Sequence, residues 1–70
     1  MDLGTRIDRA AQRQGIGIED LRKSTGIPRS TFYRLKAGRP PRKVLTLADA
    51  LVRLRRAGVV VRRADFPSIA

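Results

Sequence analysis

Residues 18–35 read Ile18-Glu19-Asp20-Leu21-Arg22-Lys23-Ser24-Thr25-Gly26-Ile27-Pro28-Arg29-Ser30-Thr31-Phe32-Tyr33-Arg34-Leu35. Gly26 and Pro28 cut this stretch into two short segments. In the first, 18–25, Glu19 and Asp20 occupy an opening turn where a helix dipole favours negative charge, and Lys23 lies towards the other end. Gly17 stands at its N-cap position. Gly26 supplies the positive backbone dihedral that a tight turn needs, and Pro28 suits the first position of a new helix. In the second segment, 28–37, a helical wheel at about 100° per residue gathers Thr31, Phe32 and Leu35 on one narrow apolar side. Lys36, Arg29, Tyr33, Ala37, Ser30 and Arg34 fall on the other. A face of cations, hydroxyls and a phenol is equipped to hydrogen-bond with a partner.

On the N-terminal side, Leu3, Ile7, Ala10, Ala11 and Gln14 recur at helical spacing, with Arg6, Arg9 and Arg13 elsewhere on the cylinder. Asp2 stands where it can accept from the first turn, with Thr5 and Asp8 as an alternative capping pair, and Gly15 ends the segment. After Pro40-Pro41 the spacing predicts a helix over 42–56. Val44, Leu45, Leu47, Ala48, Ala50, Leu51, Val52 and Leu54 form a wide apolar arc there, opposite Thr46, Asp49, Arg53 and Arg56. A helix this apolar is expected to be the main wall of the core. Arg55 falls inside the arc, where packing is expected to loosen. Gly58 closes the segment, and the β-branched Val59-Val60-Val61, followed by Arg62-Arg63, predicts a short extended piece.

Composition bounds what such a chain does. Seventy residues make one small unit with a thin core. With no Cys and no His, disulfides, Cys/His zinc sites and imidazole chemistry are excluded. No apolar run approaches the ~20 residues of a membrane span and no leader pattern is evident, so a cytoplasmic, nucleoid-associated location is expected. The acids Asp2, Asp8, Glu19, Asp20, Asp49 and Asp65 are scattered or sit at helix starts, so no enzyme, cofactor, metal or small-molecule substrate is expected. Charge is the strongest signal: 16 Lys+Arg against 6 Asp+Glu give +10, and 13 of the 16 are Arg. Between Leu21 and Ala48 stand eight bases (Arg22, Lys23, Arg29, Arg34, Lys36, Arg39, Arg42, Lys43) and no acid. A field of that sign attracts a polyanion.

Two short helices joined by a glycine turn, the second with a basic outer face, make a helix-turn-helix. Leu21, the turn residue Gly26, the apolar Ile27, the Arg29-Ser30-Thr31 opening, the pair Phe32 and Leu35 and the closing Gly38 carry a closer likeness. Together with Leu47-Ala48-Asp49-Ala50-Leu51, they resemble the Cro/C1-type (phage repressor-like) helix-turn-helix family over roughly residues 3–54. The resemblance implies an all-α, four-helix domain of the lambda-repressor-like type over 1–58, with a short extended C-terminal tail over 59–70. Two positions depart from the family's pattern. Arg22 stands where a small residue is usual, so its charge must lift past the helix contact or the two helices must cross more loosely. Ile18 replaces a frequent Gln, removing one phosphate contact.

By the same resemblance, Arg29, Ser30, Tyr33 and Arg34 match the base-reading positions of a recognition helix over 28–37 in the major groove. A bidentate Arg on guanine would contribute ~1–3 kcal/mol of discrimination. Backbone phosphates would be held by Gly17, Ile18, Thr31, Lys36, Arg39, Arg42 and Lys43. The implied partner is double-stranded DNA, bound by a homodimer that pairs through Val52 and Leu54 or through the Val59-Val60-Val61 tail. The implied role is a transcriptional regulator of the Cro or repressor type. An excisionase-like architectural factor would use the same surface. An RNA-binding module is disfavoured by the three aromatics, one of them needed in the core, and a membrane-active peptide by the short glycine-punctuated helices. Gly38-Arg39-Pro40 is similar to the core of minor-groove hooks, but a lone tripeptide is a weak signal, and a helix stop with a phosphate-contacting Arg is the preferred reading. Arg53, Arg55, Arg56, Arg62 and Arg63 read as general polyanion attraction or a solubilising rim.

Overall fold

The computed structural model describes residues 2–41 and 46–62. They form four helices in chain order: α1 (Leu3–Gln14), α2 (Ile18–Thr25), α3 (Arg29–Lys36) and α4 (Leu47–Arg56). No strand occurs among the described residues. The start of α1 is settled in favour of Asp2, whose carboxylate accepts from the Thr5 N–H at 2.8 Å. Gly15 ends the helix in the left-handed conformation expected of it.

The α2–α3 turn is braced from three directions. Gly26 holds φ at +72°, a value that would strain any side chain. Thr25, itself buried, donates its hydroxyl to the Arg22 carbonyl at 2.6 Å and accepts from the Ile27 N–H at 3.1 Å. Arg22 corrects an expectation. Its side chain does not lift away into solvent but stays half-buried, with Nη1 donating to the Ile27 carbonyl at 3.0 Å. A guanidinium placed beside a carbonyl left over at a helix end satisfies that acceptor and fills space with its stem.

Pro28 is the N-cap of α3 rather than its first helical residue. Its ψ of 146° remains extended while its carbonyl accepts from the Phe32 N–H at 2.9 Å. α4 differs more from expectation. Apolar spacing puts Thr46 inside the helix, yet it caps it: extended at φ −73° and ψ 160°, it accepts on Oγ1 from the Asp49 N–H at 3.1 Å. A hydroxyl three residues ahead of an acidic residue competes well as a helix start. Val44 and Leu45 lie outside the described residues.

The core is Leu3, Ile7, Ala10 and Ala11 of α1, Leu21, Ile27, Phe32 and Leu35 of the α2–α3 pair, Ala50 and Leu54 of α4, then Val59 and Val61. Among the described residues the main wall is therefore α1, not α4. Only the stripe at 47, 50, 51 and 54 turns inward on α4; Ala48 is exposed and Val52 is 46% exposed. Arg55, expected to loosen the packing, is exposed and its Nη2 reaches the Val61 carbonyl at 3.4 Å. Residues 59–61 alternate in, out and in beneath the end of α4. α1 meets α3 backbone to backbone. A Cβ on Gly4 would lie 2.5 Å from the Lys36 carbonyl oxygen.

Candidate nucleic-acid interface

α3 is held to the body by Phe32 and Leu35, both fully buried, which fixes the direction of everything opposite them. Arg29, Ser30 and Tyr33 emerge together on the solvent side, Tyr33 40% exposed with its ring edge-on to Phe32. Arg34, one turn on from Ser30, is less open. It is half-buried, and its Nε donates to the Pro40 carbonyl at 2.9 Å, fastening the loop after α3. Of the residues expected at phosphates, Gly17 and Arg39 are exposed and Ile18 and Thr31 half-buried. Lys36 is half-buried and ion-paired with Asp8 at 3.3 Å, bridging α3 to α1. Arg42 and Lys43 lie outside the described residues.

The residue that sequence reasoning missed is Glu19. Along the chain it precedes the acid-free interval, but in the fold its carboxylate stands over the outer face of α3. Oε1 accepts from Arg22 Nε at 2.8 Å and from Arg29 Nη2 and Nε at 2.9 and 3.3 Å, while Oε2 accepts from the Tyr33 hydroxyl at 2.8 Å. The Tyr33 hydrogen bond, then those of the two arginines, hold its carboxyl down at about 2. The same bond raises the Tyr33 phenol above its ordinary value. Spacing gives a partial signal: Glu19 and Arg22 are three apart on one helix. The contacts across the turn have no local signature.

Several arginines expected to face a polyanion or solvent are bonded within the fold. Among the described residues, Arg13, Arg22, Arg34, Arg53 and Arg55 each donate to a backbone carbonyl, those of Gly58, Ile27, Pro40, Gly26 and Val61. Three of these acceptors, Gly26, Ile27 and Gly58, lie within two residues of a helix end, where carbonyls run out of backbone donors. Arg53 thus ties α4 to the α2–α3 turn. Some of the charge on this chain is framework.

The α2 N-terminus has no side-chain cap, so its leading N–H groups stay open to an anion. That bare helix end and the outward face of α3 form a surface of donors suited to phosphate and base edges. No helix among the described residues is long and apolar enough to cross a membrane. No curated protein and no solved structure matches the chain. A family model described as the Cro/C1-type HTH DNA-binding domain matches residues 6–53, from α1 through most of α4. The protein belongs to the Cro/C1-type helix-turn-helix DNA-binding family.

Proposed function

We propose that this protein is a sequence-specific double-stranded DNA-binding transcriptional regulator of the Cro or repressor type, with α3 seated in the major groove. The observation that carries this reading is the two-sidedness of α3: Phe32 and Leu35 are sealed inside while Arg29, Ser30 and Tyr33 project from the opposite flank. Those three residues are the base readers. Arg34, with Nε occupied by Pro40, joins them through its remaining guanidinium nitrogens. Phosphates are taken by the α2 N-terminus at Gly17 and Ile18 and by Thr31, Lys36, Arg39, Arg42 and Lys43. Lys36 must exchange Asp8 for a phosphate to do so.

One helix of this length touches few bases, so a homodimer on two half-sites about one helical turn apart supplies the remaining affinity. Leu54 is fully buried within the chain and is not part of the pairing surface. Among the described residues, Val52 and Val60, 46% and 48% exposed, are the large apolar side chains left exposed for it on α4 and after it. Selection from a randomised duplex library with purified protein tests the reading. The expected outcome is one enriched site, bound with a log affinity against log salt slope of order −5 for about six phosphate contacts. Equal binding to all duplexes at moderate salt would overturn it.

A further inference from the structure

We infer that Glu19 is a specificity-determining positioning residue, presenting Arg29 end-on and turning the Tyr33 hydroxyl into an acceptor towards DNA. The inference rests on the proposed function and extends it to a residue on the neighbouring helix.

The geometry of Arg29 is the first support. A guanidinium has two donor edges able to make paired hydrogen bonds, one along Nε and Nη2 and one across the two terminal nitrogens. Glu19 Oε1 occupies the first edge, at 3.3 Å from Nε and 2.9 Å from Nη2. Among the described residues Nη1 has no acceptor, and Nη2 keeps a second hydrogen. The side chain is 70% exposed. What it offers outward is therefore the terminal edge, whose two parallel donors match O6 and N7 of guanine. A long flexible side chain held by a carboxylate loses less rotamer freedom on binding, which is the benefit of preorganisation.

Tyr33 is the second support, and it is independent of Arg29. An ionised carboxylate only accepts, so the phenolic hydrogen points at Glu19 Oε2, 2.8 Å away. The lone pairs of that hydroxyl are what remains for DNA. In the major groove those lone pairs suit an amino-bearing base, adenine at N6 or cytosine at N4, and not the carbonyl oxygens of guanine or thymine. Glu19 in turn is anchored by Arg22 at 2.8 Å, which is itself bonded to the Ile27 carbonyl in the turn. The platform is thus tied to the turn between the helices.

The test uses the full chain as wild type, Glu19→Gln, Glu19→Ala and Arg29→Ala, each put through randomised-duplex selection, binding to a fixed non-cognate duplex, and thermal melting. Wild type should select guanine at one position and adenine or cytosine at another. Glu19→Ala should lower the guanine preference about tenfold and relax the second position, while non-cognate affinity holds or rises because a negative charge has left the surface. In Glu19→Gln the side-chain amide can donate to Tyr33, freeing its hydrogen, so the second preference should move towards guanine or thymine. Melting identifies any variant that fails to fold, and Glu19→Gln keeps the native shape if Glu19→Ala does not survive.

Arg29→Ala separates two failures. If it leaves every guanine preference intact, the assignment of Arg29 as a base reader falls. If it abolishes the guanine preference while both Glu19 variants keep the wild-type site, the reading stands and the role given to Glu19 is overturned. Tighter binding by Glu19→Ala with unchanged base choice would likewise overturn it, marking the carboxylate as a mere mask over Arg29.

Discussion

α1 and α4 each begin under a side chain of their own, Asp2 accepting from Thr5 and Thr46 accepting from Asp49, whereas α2 and α3 begin at Gly17 and Pro28 with no side-chain cap. Capping satisfies a leading N–H at no expense to anything outside the chain. The two helices that build the frame are closed in this way. The two that carry the candidate DNA surface are left open, and their stability comes instead from the turn between them and from Phe32 and Leu35. A bare N-terminus costs the fold a little and gains a place for an anion.

The sharpest way to break this division is where a frame helix meets a presenting one. Ala is a better helix former than Gly by ~1 kcal/mol, so propensity alone says that Gly4→Ala should stabilise α1. The Lys36 carbonyl, 2.5 Å from the added methyl group, says otherwise. Backbone cannot turn aside as a side chain does, so α3 must shift. The expected outcome is a net loss of ~1–3 kcal/mol in denaturant melts, with weaker duplex binding because α3 is displaced. A stabilised Gly4→Ala would show that α1 and α3 are not in backbone contact.

A pair of substitutions then separates closed ends from open ones. Thr46→Ala should cost ~1 kcal/mol of stability and leave duplex affinity per folded molecule unchanged. Gly17→Asp should do the reverse. Its φ of −76° suits any residue, and the nearest heavy atom to the new Cβ, a carboxylate oxygen of Asp20, is 3.9 Å away. Stability should change by only a few tenths of a kcal/mol, while the salt slope of duplex binding falls by about one as a phosphate loses its seat. Equal effects of the two substitutions on binding would erase the distinction.

How much of this was legible in the sequence differs residue by residue. The bounds of α1 and α2, the left-handed glycines at 15 and 26, and the inward pair on α3 follow from periodicity and local turn chemistry. α4 was misjudged at its start because Leu47 continues the apolar spacing of Val44 and Leu45, and that pattern outweighed a capping hydroxyl at Thr46. Its share of the core was misjudged because Ala48 and Val52 are apolar by type yet fall off the buried stripe. On α3, periodicity puts Arg29, Ser30 and Tyr33 on the outer flank, and all three are exposed there. It did not reveal that Arg34 and Lys36 already have partners within the chain, or that Glu19 returns negative charge to a face counted as acid-free. Counting charge along a chain cannot see a contact closed across a turn.

The smallest expected effect is a pH dependence that again contrasts the two regions. Asp2 is lowered from its ordinary value, first by its hydrogen bond from Thr5, and belongs to the frame; Glu19 is lowered to about 2, first by Tyr33, and belongs to the presenting pair. A carboxylate whose folded value is depressed contributes stability that is complete above its ordinary value and lost as pH falls through the folded one. For Glu19 the window runs from 4.5 down to about 2. Tyr33 has the opposite sign: its phenol is raised, so the stability it shares with Glu19 is complete below 10.0 and declines as pH rises beyond that value. Wild-type melting should therefore be flat in these contributions near neutrality and fall at both extremes. Glu19→Gln should flatten the acid limb below 4.5 and also bring the Tyr33 phenol back towards 10.0 in a spectrophotometric titration, because one hydrogen bond links the two. A substitution of Asp2 should alter the acid limb alone. If Glu19→Gln leaves the phenol titration unmoved, the Tyr33 hydroxyl is not bonded to that carboxylate in solution, and the contrast between a closed frame and a charge-tuned presenting pair loses its electrostatic half.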